Sequence, residues 1–417
     1  MTASRGAAFR ILATLCAVYI VSQFYRSSTA VIGPELVRDM GFSPESLGLL
    51  TGAFFLAFGL TQIPLGVLLD RYGPRRVITG MLFFAVAGAV VFATGASPAM
   101  LTMGRALMGV GCAAVFMGSV VVCARWFPPD RLATMASIVL AVGGAGNLLS
   151  ATPLAMVTGQ IGWRGAFMGM AGITALLAGA VFLLVRDAPP DHPFHGRTPE
   201  SLGAVLIGLR EVFTNKRLPF LAAMAFVSYP AMATILTLWA GPYLAHIHGL
   251  DGIARGNVLM LTATAMILGN LFYGPLDRRL DTRKGVAIGG ALATIAVLSA
   301  LAIVPQPPLW LAVALLALLG FFGSYSVMVM AHGRASYPEH LVGRAVTVVN
   351  FVNFTGVAVM QAATGFIVGA LSTAGEPTPE IAYRAVFGFL AACVAIAVLF
   401  YRGIGDSKPS RDEDHRL

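Results

Sequence analysis

Twelve stretches of this chain are apolar for long enough to cross a bilayer, which constrains its fold more than any other feature. They lie near residues 10–33, 46–69, 77–96, 99–124, 132–159 and 164–185, then near 218–246, 254–276, 285–304, 309–332, 342–371 and 382–402. Each is close to the roughly 20 residues a helix needs to traverse the hydrocarbon core. In lipid every backbone N–H and C=O must be satisfied within the segment, so such stretches read as helices. Hydrophobic residues make up 57% of the 417 and charged residues only 11%, against about a quarter charged in a soluble domain. No soluble fold of this length hides that much apolar side chain. The expected architecture is an all-α membrane protein with twelve transmembrane helices, arranged as two pseudo-symmetric six-helix bundles at residues 1–186 and 218–403. A cytoplasmic linker, 187–217, joins them and contains an amphipathic stretch, Ser201–Phe213; a disordered cytoplasmic tail follows at 404–417.

The net charge of +9 at first suggests nucleic acid, but its distribution points elsewhere. Of the 28 Lys and Arg, two (Arg26 and Arg105) lie within spans and four (Arg38, Arg164, Arg255 and Arg384) fall on one set of loops. The other 22 fall on the opposite loops and the tails. This is the positive-inside asymmetry, which puts both termini in the cytoplasm of a cell with an inner membrane and makes the partner a lipid bilayer, with no nucleic acid. Cys16, Cys112, Cys123 and Cys393 sit in or at the ends of apolar spans without metal-ligand spacing, and read as small packing residues. The first apolar run passes through Gln23 and Arg26 and ends at Pro34, so it reads as a first helix rather than a removed signal peptide.

A short motif occurs twice. The first copy runs Gly66-Val-Leu-Leu-Asp70-Arg71-Tyr-Gly73-Pro-Arg75-Arg76, and the second runs Gly274-Pro-Leu-Asp277-Arg278-Arg279-Leu-Asp281-Thr-Arg283-Lys284. Both sit between the second and third spans of a half, so the chain reads as a duplicated membrane unit, its substrate site expected near the midplane. The loop resembles the signature of the major facilitator superfamily, a family of secondary transporters, and the resemblance extends from about residue 10 to 402. It implies that Asp70 faces the start of the eleventh helix, near Arg344, and latches the outward-facing state. Gly66, Arg71, Gly73, Arg75 and Arg76 complete that latch. The bland alternative is a solvated loop pair. In the second copy the Gly–Asp spacing is shorter and no glycine matches Gly73, which leaves it a topological role. The resemblance also implies a monomer.

Intramembrane charges are functional-site hypotheses by default, because a cation is costly there. Arg26 and Arg105 fall at similar depth in the external half of the first and fourth spans, and the resemblance makes helices 1, 4, 7 and 10 the cavity lining. On the first span Tyr19, Ser22, Gln23, Arg26 and Thr29 recur at helical steps as one polar stripe. Phe24-Tyr25-Arg26-Ser27-Ser28 resembles the first-helix arginine segment of the organophosphate and organic-anion branches, which contacts an anionic substrate. The turn Gly162-Trp163-Arg164 resembles the same branches. Arg105, within Gly104-Arg105-Ala-Leu-Met-Gly109-Val-Gly111, matches the superfamily's fourth-helix arginine, which is tied to proton handling in antiporters. Structural pairing or snorkelling competes with the anion site for Arg26, and glycine-flanked packing competes for Arg105.

The second half supplies polarity without fixed charge. Tyr229, Trp239 and Tyr325 are candidate substrate contacts, and His332 is a candidate proton relay. Asn350, Asn353 and Gln361 share one side of the eleventh span, where amides commonly bond between helices. No Asp or Glu lies mid-span, which weakens export of cations and favours an anionic or zwitterionic substrate. The organophosphate transporters' second arginine, on helix 7, is missing, which disfavours phosphate esters. No Walker loop, nucleophile–base pair or metal cluster stands out, so neither an enzyme, a cofactor nor a metal is expected. The chain reads as a secondary active transporter moving a small organic anion or amino-acid-like metabolite by alternating access, with a coupling proton as a candidate co-substrate. Two other readings stay open here: efflux of amphiphilic compounds by proton antiport, and a transport-inactive membrane scaffold or sensor.

Overall fold

Proline and glycine punctuate the chain where the apolar runs stop. The computed structural model describes residues 5–189, 208, 210–338, 341–373 and 378–410. Most of the Ser201–Phe213 stretch and the tail beyond Ser410 lie outside the described residues. Among the described residues the regular structure is all helical. The helices are α1 (Arg5–Ser27), α2 (Thr29–Met40), α3 (Pro44–Tyr72), α4 (Pro74–Thr94), α5 (Pro98–Trp126), α6 (Pro129–Leu149) and α7 (Thr152–Leu184). After the linker come α8 (Leu218–Ala225), α9 (Ser228–Thr234), a π turn at Ile235–Trp239, α10 (Ala240–His248), α11 (Gly252–Tyr273) and the short α12 (Leu276–Leu280). The last five are α13 (Arg283–Ile303), α14 (Leu309–Gly323), α15 (Ser326–Ala335), α16 (Val342–Leu371) and α17 (Glu380–Tyr401). Pro44, Pro74, Pro98 and Pro129 each open a helix, where a missing N–H costs nothing. Ser97, Asp251 and Thr282 cap α5, α11 and α13 through side-chain oxygens.

Among the described residues, eleven helical stretches are long and apolar enough to span a membrane, and Thr134–Leu149 is a shorter twelfth. One continuous helix was expected near 132–159. Instead α6 stops at Leu149, because Pro153 removes an N–H that a continuing helix would need. The 33 residues of α7 then leave helical geometry at Gly162 (φ 72°, ψ 164°). Thr152–Ile161 therefore completes the fifth span and Trp163–Leu184 forms the sixth.

By internal contacts the chain divides into two compact units. The first comprises Met1–Ser28 and Ala53–Leu206, the second Thr29–Gly52 and Ile207–Leu417. α2 and the first turns of α3 thus group with the second unit. Within the first unit, α4 packs closely on α5, and α1 packs on α5, α6 and α7. Small residues set this approach: a Cβ added at Gly104 would stand 2.7 Å from the Gly88 carbonyl oxygen. The core here gathers Leu15, Val18, Leu69, Ile78, Leu82, Val115 and Val181.

Both units clasp the start of their third spanning helix in the same way. In the first, Gly73 adopts φ 80° between α3 and α4, and the Arg75 N–H donates to Asp187 Oδ1 at 2.7 Å. In the second, the Lys284 N–H donates to Asp406 Oδ1 at 3.0 Å, and the Thr282 hydroxyl donates to Asp406 Oδ2. A carboxylate at a helix N-terminus meets both the unsatisfied N–H groups and the positive end of the macrodipole. At the opposite ends, Arg164 donates to the Ala93 and Gly95 carbonyls after α4, and Arg384 donates to Ala302 and Ile303 at the end of α13.

Candidate functional site

The first unit's polar centre is built around Arg105 on α5. Its side chain is wholly buried (0% exposed), although guanidinium is the most strongly basic side chain. One nitrogen donates to the Tyr25 carbonyl at 2.6 Å, and the guanidinium carbon lies 4.7 Å from the Phe54 ring centroid. Among the described residues, Nε and the second terminal nitrogen have no hydrogen-bond partner and no carboxylate forms an ion pair with the residue. Gly109, one helical turn on, lets the backbone of α3 come close: a Cβ there would collide with the Phe54 carbonyl oxygen. The glycine-flanked segment therefore packs as the sequence suggested, and by doing so brings the Phe54 face onto Arg105.

Arg26 lies in the last turn of α1 and is 8% exposed. Its guanidinium carbon sits 4.8 Å from the Phe58 centroid. Phe54 and Phe58 are one helical turn apart on α3, so a single face of that helix offers a ring to each arginine. Cys112 lies within electrostatic range of both Arg26 and Arg105, and the two cations thus share one neighbourhood. Beside them the Ser27 hydroxyl donates to Asn147 Oδ1 at 2.6 Å, and the Tyr25 hydroxyl meets Thr174 at 2.9 Å. Gln23 Oε1 is buried without a hydrogen-bond partner among the described residues. Tyr19 packs against Phe116 (centroids 5.3 Å apart) and Gly143, within the first unit's core. Sequence reasoning missed Phe54, Phe58, Asn147 and the Tyr25 carbonyl. The Phe54/Phe58 spacing on one helix face was a usable signal for the rings.

In the second unit, Tyr229 lines a cavity together with Ser228, Ser326, Met330, Val349 and Asn353. Trp239 and Tyr325 turn inward instead. The Trp239 indole N–H donates to Thr364 at 2.8 Å, and Tyr325 is wholly buried against Gly290. Both sit where the helical phase changes. The π turn at Ile235–Trp239 lengthens one turn, and Ser324–Tyr325 links α14 to α15 with ψ of −8° and −18°. His332 is wholly buried, with Nδ1 2.5 Å from the Tyr401 hydroxyl and Nε2 3.2 Å from the Gly405 carbonyl. A carbonyl can only accept, so Nε2 carries a proton, and in the neutral ring Nδ1 accepts from the Tyr401 hydroxyl.

Of the expected latch residues, Asp70, Arg71 and Arg76 are exposed on the first unit. Arg75 is held by Asp187, by the Phe182 carbonyl (2.7 Å) and by the Phe182 ring (4.5 Å). Gly66 is uncrowded, whereas a Cβ at Gly73 would collide with Asp187. Arg344 lies against Gly208 in the second unit. Asp277 of the second copy takes its own ion pair, to Arg283 at 3.3 Å. On α2, Glu35 pairs with Arg255 at 2.7 Å, with side chains 22% and 7% exposed.

A chain of apolar spanning helices in two similarly clasped units, with buried arginines facing aromatic rings, has the build of a multi-pass membrane transporter. The chain belongs to the Major Facilitator Superfamily, whose family model matches residues 15–255 and 221–417. It is 24% identical to the probable galactarate/D-glucarate transporter GudP of Escherichia coli (strain K12), over 90% of each chain. It is 23% identical to a putative tartrate transporter of Agrobacterium vitis, over 73% of this chain and 76% of that one. Its fold matches the crystal structure of a bacterial homologue of the human lysosomal transporter Spinster, inward-facing and occupied, with a TM-score of 0.76 at 18% identity over 96% and 97% of the two chains.

Proposed function

We propose that this protein is a secondary active transporter of a small organic anion, with Arg105 and Arg26 supplying the positive charge that holds it. One observation carries this reading. Arg105 is completely buried and, among the described residues, has no carboxylate partner and leaves two of its three nitrogens without hydrogen bonds. A desolvated cation costs several kcal/mol unless a counter-charge offsets it. A carboxylate fits because guanidinium presents a donor fork matched to its two oxygens. Arg26, sharing the neighbourhood through Cys112, adds the second charge that a dicarboxylate needs. The relatives named for galactarate, D-glucarate and tartrate support the same substrate chemistry. The Lys and Arg distribution supports an inner-membrane position with cytoplasmic termini, and a proton remains the candidate co-substrate.

The test is counterflow in liposomes loaded with a dicarboxylate, with Arg26→Gln and Arg105→Gln alongside the parent. Exchange of labelled dicarboxylate that either substitution abolishes supports the assignment. Exchange of cationic or neutral amphiphiles that ignores both substitutions refutes it.

A further inference from the structure

Besides its polar cavity, the second unit has an apolar groove. α8, α16 and α17 pack on one another and leave a volume of about 460 Å³ between them. Ala222 and Ala223 of α8 and Ala397 of α17 are too small to close it, while Val352 of α16 and Phe400 of α17 form its sides. The lining is apolar throughout, with Cys393 its most polar member. Phe400 is 61% exposed, so the groove opens on the outside of the unit rather than into its core. A void against apolar side chains forfeits dispersion contacts on its empty side, which favours an apolar occupant. A methylene takes up nearly the space of a water, about 30 Å³ in the liquid, so this volume suits a chain of about fifteen carbons. Along α17 the groove runs from Phe400 back to Cys393, roughly 10 Å at 1.5 Å per residue. That is most of one leaflet's half of a ~30 Å hydrocarbon core.

The end of the groove at Phe400 is the charged one. Arg402 follows two residues later, and Lys216 and Arg217 immediately precede α8. These helix ends adjoin: a Cβ at Gly403 would stand 2.8 Å from the Phe220 ring, and Arg217 lies 3.5 Å from the Ser407 hydroxyl. Lys216, Arg217 and Arg402 are all exposed. The carboxylates of α12 and of the segment after α17 are engaged elsewhere. Asp277 pairs with Arg283, Asp281 accepts from Ser410, and Asp406 accepts from Thr282 and the Lys284 amide. Three exposed cations above an apolar groove match a molecule with a negative head and a hydrocarbon tail. A second copy of this chain fits poorly, because a two-fold contact here would set the same cations face to face.

We infer that this groove holds one acyl chain of an anionic phospholipid, whose headgroup sits among Lys216, Arg217 and Arg402. The lipid is a bound partner distinct from the transported anion. It has a structural task, because α8 has only eight residues and so short a helix is marginal without packing. Lying along both helices, the lipid fastens α8 to α17.

Phosphatidylglycerol and phosphatidylcholine with identical acyl chains separate head from tail. The purified full-length protein in neutral detergent at low ionic strength is titrated with each, and thermal stabilisation gives the affinities. Phosphatidylglycerol should bind about tenfold or more tightly, since each Lys or Arg near an anionic headgroup contributes about fivefold. Lys216→Gln and Arg402→Gln should each narrow that ratio about fivefold, and high salt should narrow it too. Ala223→Leu fills the groove and should weaken both lipids by about tenfold. A second readout needs no substitution. Cys393 is half-exposed whereas Cys16, Cys112 and Cys123 are buried, so phosphatidylglycerol should slow its labelling by N-ethylmaleimide more than phosphatidylcholine does. Equal affinity for the two lipids, or labelling of Cys393 that neither lipid slows, overturns the inference. So does stabilisation by glycerol phosphate, a head without chains, that matches the lipid's and is lost in Arg402→Gln. A change of oligomeric state in Ala223→Leu with both lipid affinities unchanged gives the groove to a second copy and overturns it as well.

Discussion

Replacing Arg105 with methionine separates a residue that holds the first unit together from one that holds a ligand. The side chain's favourable contacts are few. Its charge-assisted hydrogen bond to the Tyr25 carbonyl contributes about 1.5–3 kcal/mol, and its position over Phe54 adds about 2 kcal/mol in a desolvated setting. Against these stands the several kcal/mol of burying a cation without a counter-ion. Methionine fills a similar volume and packs well on aromatic rings. It also strands nothing, because the Tyr25 carbonyl still accepts from the Ser28 hydroxyl at 3.2 Å. The ligand-free variant should therefore be as stable as the parent or more stable by up to about 2 kcal/mol, in line with buried ion replacements elsewhere. For a unit of about 200 residues that is a rise of zero to about 8 °C. The same variant should lose all stabilisation by dicarboxylate. Intrinsic tryptophan fluorescence during heating in detergent, with and without ligand, reads both quantities. A ligand-free loss above about 3 kcal/mol, roughly 6–12 °C, with the ligand response intact would show that Arg105 is structural, and the reasoning would fail.

Three other substitutions have definite expectations. Gly109→Val places side-chain atoms against the Phe54 carbonyl and should destabilise by about 1–3 kcal/mol, seen as a lower yield of monodisperse protein. Glu35→Ala and Arg255→Ala each leave a largely buried charge without its ion-pair partner, so the double variant should be more stable than the sum of the singles by about 1 kcal/mol or more; strict additivity would refute the coupling. Asp406 gives a pH signature. Burial pushes its carboxyl up, but the hydrogen bonds from Thr282 and the Lys284 amide outweigh this and hold it below the ordinary carboxylate range. A depressed pKa gives stability that is present above the unfolded value near 3.9 and lost as pH falls through the folded value. The melting-temperature gap between the parent and Asp406→Asn should accordingly be full at pH 6 and close below pH 4.

The spans and the duplication were legible because lipid leaves a helix no alternative and the motif loops interrupt the hydropathy at matching places. Arg26 and Arg105 were legible for the same reason: a cation inside an apolar run is conspicuous. Local pitch was not legible: the π turn at Ile235–Trp239 and the joint at Ser324–Tyr325 shift the helical phase, and such changes leave little mark on composition. Partners distant in sequence were also hidden. Nothing near Gly73 announces that its missing side chain makes room for Asp187, since the carboxylate arrives from the far end of the sixth span. The allegiance of Thr29–Gly52 to the second unit is likewise a matter of tertiary contact.

The clasps at Asp187 and Asp406 carry a consequence for how such a chain is put together. Each ties the last residues of a six-span repeat back to the head of that repeat's third helix, so each repeat closes upon itself before the next begins. A ribosome that has finished Asp187 has made everything the first clasp requires, and everything the second requires lies in the remaining half. Severed genetically within residues 190–207, the two fragments would each keep their own fastening, so this is the place to cut the gene for a split transporter whose halves are made on separate messages.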